Sequence, residues 1–180
     1  MGSSNDVLDE AGRQRLQDKA ARLGAALASR GCVLITGATT GLPDMVSRAA
    51  RQYGGLSVGI SPAISRVEHI EKYKYPTDAV DVMIYTGFAL KGRNVVNIRS
   101  SDVVIIFGGG MGTLNEFTIA YDEGKIIGIL EGTGGVADHV RDVVSFAGKP
   151  TAARLIFASE PERLVDECLS VWRSQGAEGV

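Results

Sequence analysis

One junction constrains this chain more than any other. The apolar run Asp102–Phe107 passes directly into Gly108-Gly109-Gly110-Met111-Gly112-Thr113, and helical spacing takes over from Thr113 to about Asp122. A short continuous apolar run reads as a strand covered on both faces, the situation of a parallel sheet. Four glycines in five positions exceed what a strand–helix turn needs. Glycine lets the backbone come close to a ligand because no Cβ intervenes. A glycine-rich turn that opens a helix also presents free N–H groups and a partial positive charge, for which phosphate is the natural guest.

The same alternation runs along the rest of the chain. Val7–Ser29 carries Leu16, Ala20, Leu23, Ala26 and Leu27 at helical spacing, and Gly31 ends it. Cys32–Thr36 reads as a strand, residues 37–41 as a glycine loop, and Pro43 opens a helix to about Tyr53. Strands follow at Leu56–Ile60, Val80–Tyr85, Lys125–Leu130 and Ala153–Ala158. Helices follow at Ala89–Ser100 and Val136–Phe146, and Pro161 opens a terminal one. Ser61–Ala79, with two prolines, reads as a long loop. The pattern predicts an α/β fold: a Rossmann-like doubly wound parallel sheet in three layers, α/β/α, as a single phosphate-binding domain over residues 1–180.

Composition excludes several classes. The formal net charge is −2, with no basic field, which argues against nucleic acid as a partner. No apolar run is long enough to span a membrane, and the polar N-terminus lacks a signal-peptide core, so a cytoplasmic location is expected. Cys32 and Cys168 are expected to be free thiols in a reducing compartment. Two cysteines and two distant histidines offer no metal-ligand spacing, and neither a metal nor another cofactor is implied. His69 and His139 read as surface or hydrogen-bonded polar residues.

Nine of the 23 glycines fall in three loops that follow strands: 37–41, 108–112 and 132–135. In a parallel sheet these are carboxyl-end loops, where ligands bind. The middle loop lacks the Lys-Ser/Thr of a Walker P-loop, and it is not the dinucleotide fingerprint followed by an acid. Thr113 is placed to cap its helix and to donate its hydroxyl to a phosphate. Glu116 reads either as a capping-box glutamate or as a carboxylate that stabilises an oxocarbenium-like ribosyl transition state or orients water. Arg93 or Arg99 could grip phosphate with a forked guanidinium; each alone also reads as a surface arginine.

Gly109-Gly110-Met111-Gly112-Thr113-Leu114-Asn115-Glu116 resembles the Pro-Gly-Gly-x-Gly-Thr-x-x-Glu signature of the LOG (Lonely Guy) family, long mislabelled lysine decarboxylase. The resemblance covers about residues 11–172. It implies hydrolysis of the N-glycosidic bond of a nucleoside 5′-monophosphate, of the cytokinin-activating type, to free base and ribose 5-phosphate. By motif position it makes Arg93 and Glu116 catalytic. It places Thr36, Gly37, Thr40, Gly41, Gly109, Gly110, Met111, Gly112, Thr113 and Thr133 around the substrate and its phosphate. It further implies a homodimer or higher homo-oligomer.

Departures from the family pattern are specific. The Met-x-x-Arg-Lys stretch is Leu90-Lys91-Gly92-Arg93-Asn94, the signature proline is Gly108, and the first Gly-Gly-Gly is Thr36-Gly37-Ala38. The family's first strand should precede the opening helix and cannot be formed by residues 1–6; either the chain is trimmed or its sheet edge is built differently. The same features resemble molybdenum-cofactor carrier proteins of the wider superfamily, which makes a non-catalytic carrier of a phosphorylated small molecule the alternative. DNA-processing proteins are a third relative, disfavoured by the acidic balance.

Overall fold

The computed structural model describes residues 10–177. The expected helix start at Val7 and the question of residues 1–6 lie outside them. The elements are α1 (Glu10–Ser29), β1 (Leu34–Thr36), α2 (Leu42–Gln52), β2 (Ser57–Ser61), α3 (Arg66–Glu71), β3 (Val82–Tyr85) and α4 (Ala89–Arg99). They continue as β4 (Val103–Phe107), α5 (Met111–Asp122), β5 (Ile126–Leu130), α6 (Gly135–Ala147), β6 (Arg154–Ala158) and α7 (Pro161–Ala177).

All strand pairings are parallel, in two three-stranded sheets ordered β1-β2-β3 and β4-β5-β6. The side-chain period of two divides β4 and β5 between two cores. Phe107, Ile126 and Leu130 pack with Leu16, Leu23, Leu42, Val46 and Leu164 from α1, α2 and α7. Val104, Ile106, Ile127 and Ile129 pack with Ile98, Phe117 and Val140 from α4, α5 and α6. Helices on both faces give the three-layer α/β arrangement expected from the alternating pattern. An apolar cleft of about 420 Å³ lies where β1 faces β4, bordered by Leu34, Ile35, Val103 and Val104 and reaching Thr36 and Asn97.

Two local expectations are corrected. The stretch Ser61–Ala79 is not all loop: it contains α3, whose first turn is capped by Ser65 Oγ accepting from Glu68 N at 3.2 Å. The central helix starts at Met111 with Gly110 as its N-cap, so Thr113 is its third residue and not its cap. Glu116 then sits in the second turn, out of place for a capping box, which needs the glutamate at the third helical position.

α1 and α2 touch through backbone. A Cβ on Gly24 would lie 2.4 Å from Val46 O and 2.8 Å from Ala50 N.

Candidate active site

The second glycine loop joins β4 to α5. Gly108 and Gly109 have positive φ values of 57° and 96°, the left-handed region that side chains avoid. A Cβ on Gly109 would also lie 2.3 Å from Thr113 Oγ1. These two glycines are needed by the turn. Gly110 and Gly112 are not: a Cβ on either would meet nothing within 4 Å, and neither has a positive φ. No side chain caps α5, and the N–H groups of Met111, Gly112 and Thr113 precede the first intrahelical bond, Leu114 N to Gly110 O. Met111 is 76% exposed, so this helix terminus opens to solvent.

The third loop turns the N–H groups of Gly132, Thr133 and Gly134 inward on one carboxylate. The Asp138 carboxylate accepts from Gly132 N at 2.7 Å, Gly134 N at 2.9 Å and, more weakly, Thr133 N at 3.4 Å. Val136 N donates to Gly109 O, and Ala137 N to Gly108 O. The Thr133 hydroxyl accepts from Gly108 N at 2.8 Å and donates to Leu130 O at 2.6 Å. A Cβ on Gly135 would lie 2.2 Å from Gly109 O. This loop therefore acts as a strut behind the second one, and Thr133 is buried within that strut.

The first loop meets Arg93 of α4. Thr36 and Gly37 are buried and Thr40 is exposed; Gly41 is the N-cap of α2, with no side-chain cap. Ala38 adopts φ 51°, a left-handed conformation unusual for alanine. A Cβ on Gly37 would lie 2.2, 2.3 and 2.4 Å from NH1, Cζ and NH2 of Arg93, so the guanidinium face rests on this glycine.

α4 and α5 meet through a polar layer. Arg93 and Glu116 are 5% and 4% exposed, with Arg93 NH1 3.3 Å from Glu116 Oε1. Asn94 and Asn97, also buried, flank Arg93 on α4. The Asn94 amide lies 2.8 Å from Asn115 Oδ1; in the orientation that satisfies Glu116, its Nδ2 donates to Glu116 Oε1 and Leu90 O, both at 3.0 Å, and its Oδ1 faces the Asn115 amide. The Asn97 side chain hydrogen-bonds Glu116. Burial pushes the Glu116 carboxyl above the ordinary carboxylate range, against the pull of Arg93 and Asn97. Burial likewise lowers the Arg93 guanidinium, against the pull of Glu116. Arg93 Nε is buried with no hydrogen-bond partner among the described residues, leaving one donor unspent.

The structure thus brings Gly37, Arg93 and Glu116 together, with Gly110, Met111, Gly112 and Thr113 one turn ahead of Glu116 on α5. Arg99 is elsewhere, exposed and paired with Glu123 at 2.7 Å. His69 is fully buried, its ring satisfied by Ser61 Oγ and Pro76 O, and His139 is exposed. Both cysteines are free; burial pushes the Cys168 thiol up to about 12, so it is inert at neutral pH. Among the described residues no helix is long and apolar enough to cross a membrane.

Asn94, Asn97, Asn115 and Asp138 were not singled out from sequence. Asp138 had a local signal: an acid in the first turn of a helix entered through glycines. The asparagines had little, because their partners come from another helix.

The model of the SLOG cluster4 family matches residues 1–165. The chain is 34% identical over 112 residues to a cytokinin riboside 5′-monophosphate phosphoribohydrolase of Mycobacterium tuberculosis; the match takes in 62% of this chain and 57% of that enzyme. The X-ray structure of the structural-genomics target TM1055 superimposes with a TM-score of 0.79 at 29% identity, over 94% of this chain and 96% of that one. The molybdenum cofactor binding protein from the phototrophic bacterium Rippkaea orientalis superimposes with a TM-score of 0.68 at 30% identity, over 87% of each chain.

Proposed function

The chain belongs to the SLOG cluster4 family, and within it we propose that it binds a nucleoside 5′-monophosphate and hydrolyses its N-glycosidic bond, releasing free base and ribose 5-phosphate. One observation carries this reading. Gly110 and Gly112 are glycines where the fold has no steric need of them, at an uncapped, exposed helix start that leads in one turn to a buried carboxylate paired with an arginine. The likeness to the mycobacterial phosphoribohydrolase supports it, and so does the LOG-type signature.

The chemistry follows from the placement. The N–H groups of Met111, Gly112 and Thr113 hold the 5′-phosphate at the positive end of α5. As the N-glycosidic bond breaks, its electron pair leaves with the base and positive charge grows on the ribose. The ionised Glu116 carboxylate stabilises that charge and directs water to the anomeric carbon. Arg93, rigid against Gly37, orients the substrate and offers its free Nε. Water supplies the hydroxyl to ribose 5-phosphate and a proton to the departing base.

A second reading has its own observation. The likeness to the Rippkaea molybdenum cofactor binding protein extends over 87% of both chains at 30% identity. The same rim would then hold a phosphorylated pterin without cleaving it. A panel of purine and pyrimidine nucleoside 5′-monophosphates separates the two: release of base and ribose 5-phosphate supports hydrolysis, and tight molybdopterin binding with no release from any monophosphate overturns it.

A further inference from the structure

The contact between α4 and α5 is polar where an apolar one would cost less. Asn94 and Asn97 are 4% and 3% exposed, and asparagine is a poor helix former. A buried amide is unfavourable unless hydrogen-bonded. Arg93 alone holds Glu116 weakly, because 3.3 Å is long for a charge-assisted pair, which ordinarily closes to about 2.7–2.9 Å. The remaining donors come from the same helix: in the amide orientation that satisfies Glu116, Asn94 Nδ2 donates to the same oxygen at 3.0 Å, and Asn97, buried one turn beyond Arg93, bonds the carboxylate as well.

We propose that Asn94 and Asn97 are positioning residues, which fix the Glu116 carboxylate against α4 so that Arg93 keeps its place on Gly37 and its Nε for the ligand. Asn94 stands where the LOG pattern has lysine, so a neutral amide here does the holding without adding a second cation beside Arg93. The assignment deepens the hydrolytic reading and rests on it for its kinetic consequence, but the anchoring itself is measurable without turnover.

The test uses the full chain with Asn97→Ala, Asn94→Ala and the isosteric Asn97→Asp. The titration of the Glu116 side-chain carboxyl is followed by carbon-13 NMR, with Glu116→Gln identifying the resonance. Each variant is expected to titrate at higher pH than wild type, because a donor to the carboxylate is lost, and Asn97→Asp most of all because it adds a like charge. In the cleavage assay, kcat should fall about 10²-fold in Asn97→Ala, the scale of a misplaced reacting group, with KM within about twofold. A folded Asn97→Asp whose Glu116 titrates as in wild type overturns the assignment. If wild type releases no base, the hydrolytic reading fails while the carboxyl titration still decides whether the asparagines anchor Glu116.

Discussion

The guanidinium of Arg93 lies face-on against Gly37, so close that a Cβ at residue 37 would sit 2.2 Å from NH1. Arg93 is 5% exposed, and its guanidinium is also the group that meets Glu116. Gly37→Ala should therefore push the guanidinium away from Glu116. The expected outcome is a fall in kcat/KM of about 10²-fold in a base-release assay. An alanine variant with wild-type kinetics would show that the Arg93 position has no bearing on turnover.

Gly112 poses the opposite case. It is helical, and a Cβ there meets nothing. Replacing glycine by alanine where the backbone conformation suits alanine stabilises by about 0.4–1 kcal/mol through the unfolded chain, so Gly112→Ala should raise Tm by about 1–4 °C. The same methyl would stand beside the N–H groups assigned to the phosphate. Ligand affinity should weaken about tenfold, equivalent to about 1.4 kcal/mol, measured by calorimetry with a nucleoside monophosphate. Increased stability with unchanged affinity would remove the phosphate from this helix terminus.

Asp138 ties off the third loop by accepting from the N–H groups of Gly132, Thr133 and Gly134. Asp138→Ala leaves those donors to water and loosens the strut behind Gly108 and Gly109. A loss of about 1–2 kcal/mol is expected, on the scale of a lost helix cap, and a thermal melt should show Tm lower by about 2–8 °C.

The order of strands and helices was legible because β4 and β5 are short continuous apolar runs and the glycine clusters punctuate their ends. Arg66–Glu71 escaped notice because six residues are too few to display a helical period, although Ser65 and Glu68 stand at capping-box spacing. Family likeness and motif position single out Arg93 and Glu116 separately, but not their contact, since the two lie 23 residues apart on different helices. The role of Asp138 escaped for a tertiary reason: glycine loops at 108–112 and 132–135 look alike in sequence, yet one leads into a helix start with no side-chain cap and the other donates to the Asp138 carboxylate.

Burial sets the pH dependence. Glu116 stabilises a developing cation only when ionised, and burial holds its carboxyl above the ordinary value of about 4.3. As pH falls, the carboxylate is lost sooner than in an exposed glutamate, so the acid limb of kcat/KM should turn down above that value. Glu116→Gln should abolish this limb in whatever activity remains. An acid limb at or below the ordinary carboxylate range would contradict a buried, ionised Glu116.

The most direct measurement is release of free base and ribose 5-phosphate from nucleoside 5′-monophosphates by wild type and by Glu116→Gln, with binding of the same monophosphates measured in parallel. Wild type should turn over at least one monophosphate. Glu116→Gln, which keeps the shape of the side chain and removes its charge, should bind that substrate comparably and lose about 10²–10⁴-fold in kcat. Turnover undiminished in Glu116→Gln, or no turnover by wild type on any monophosphate, would contradict the assignment of this carboxylate to N-glycosidic cleavage.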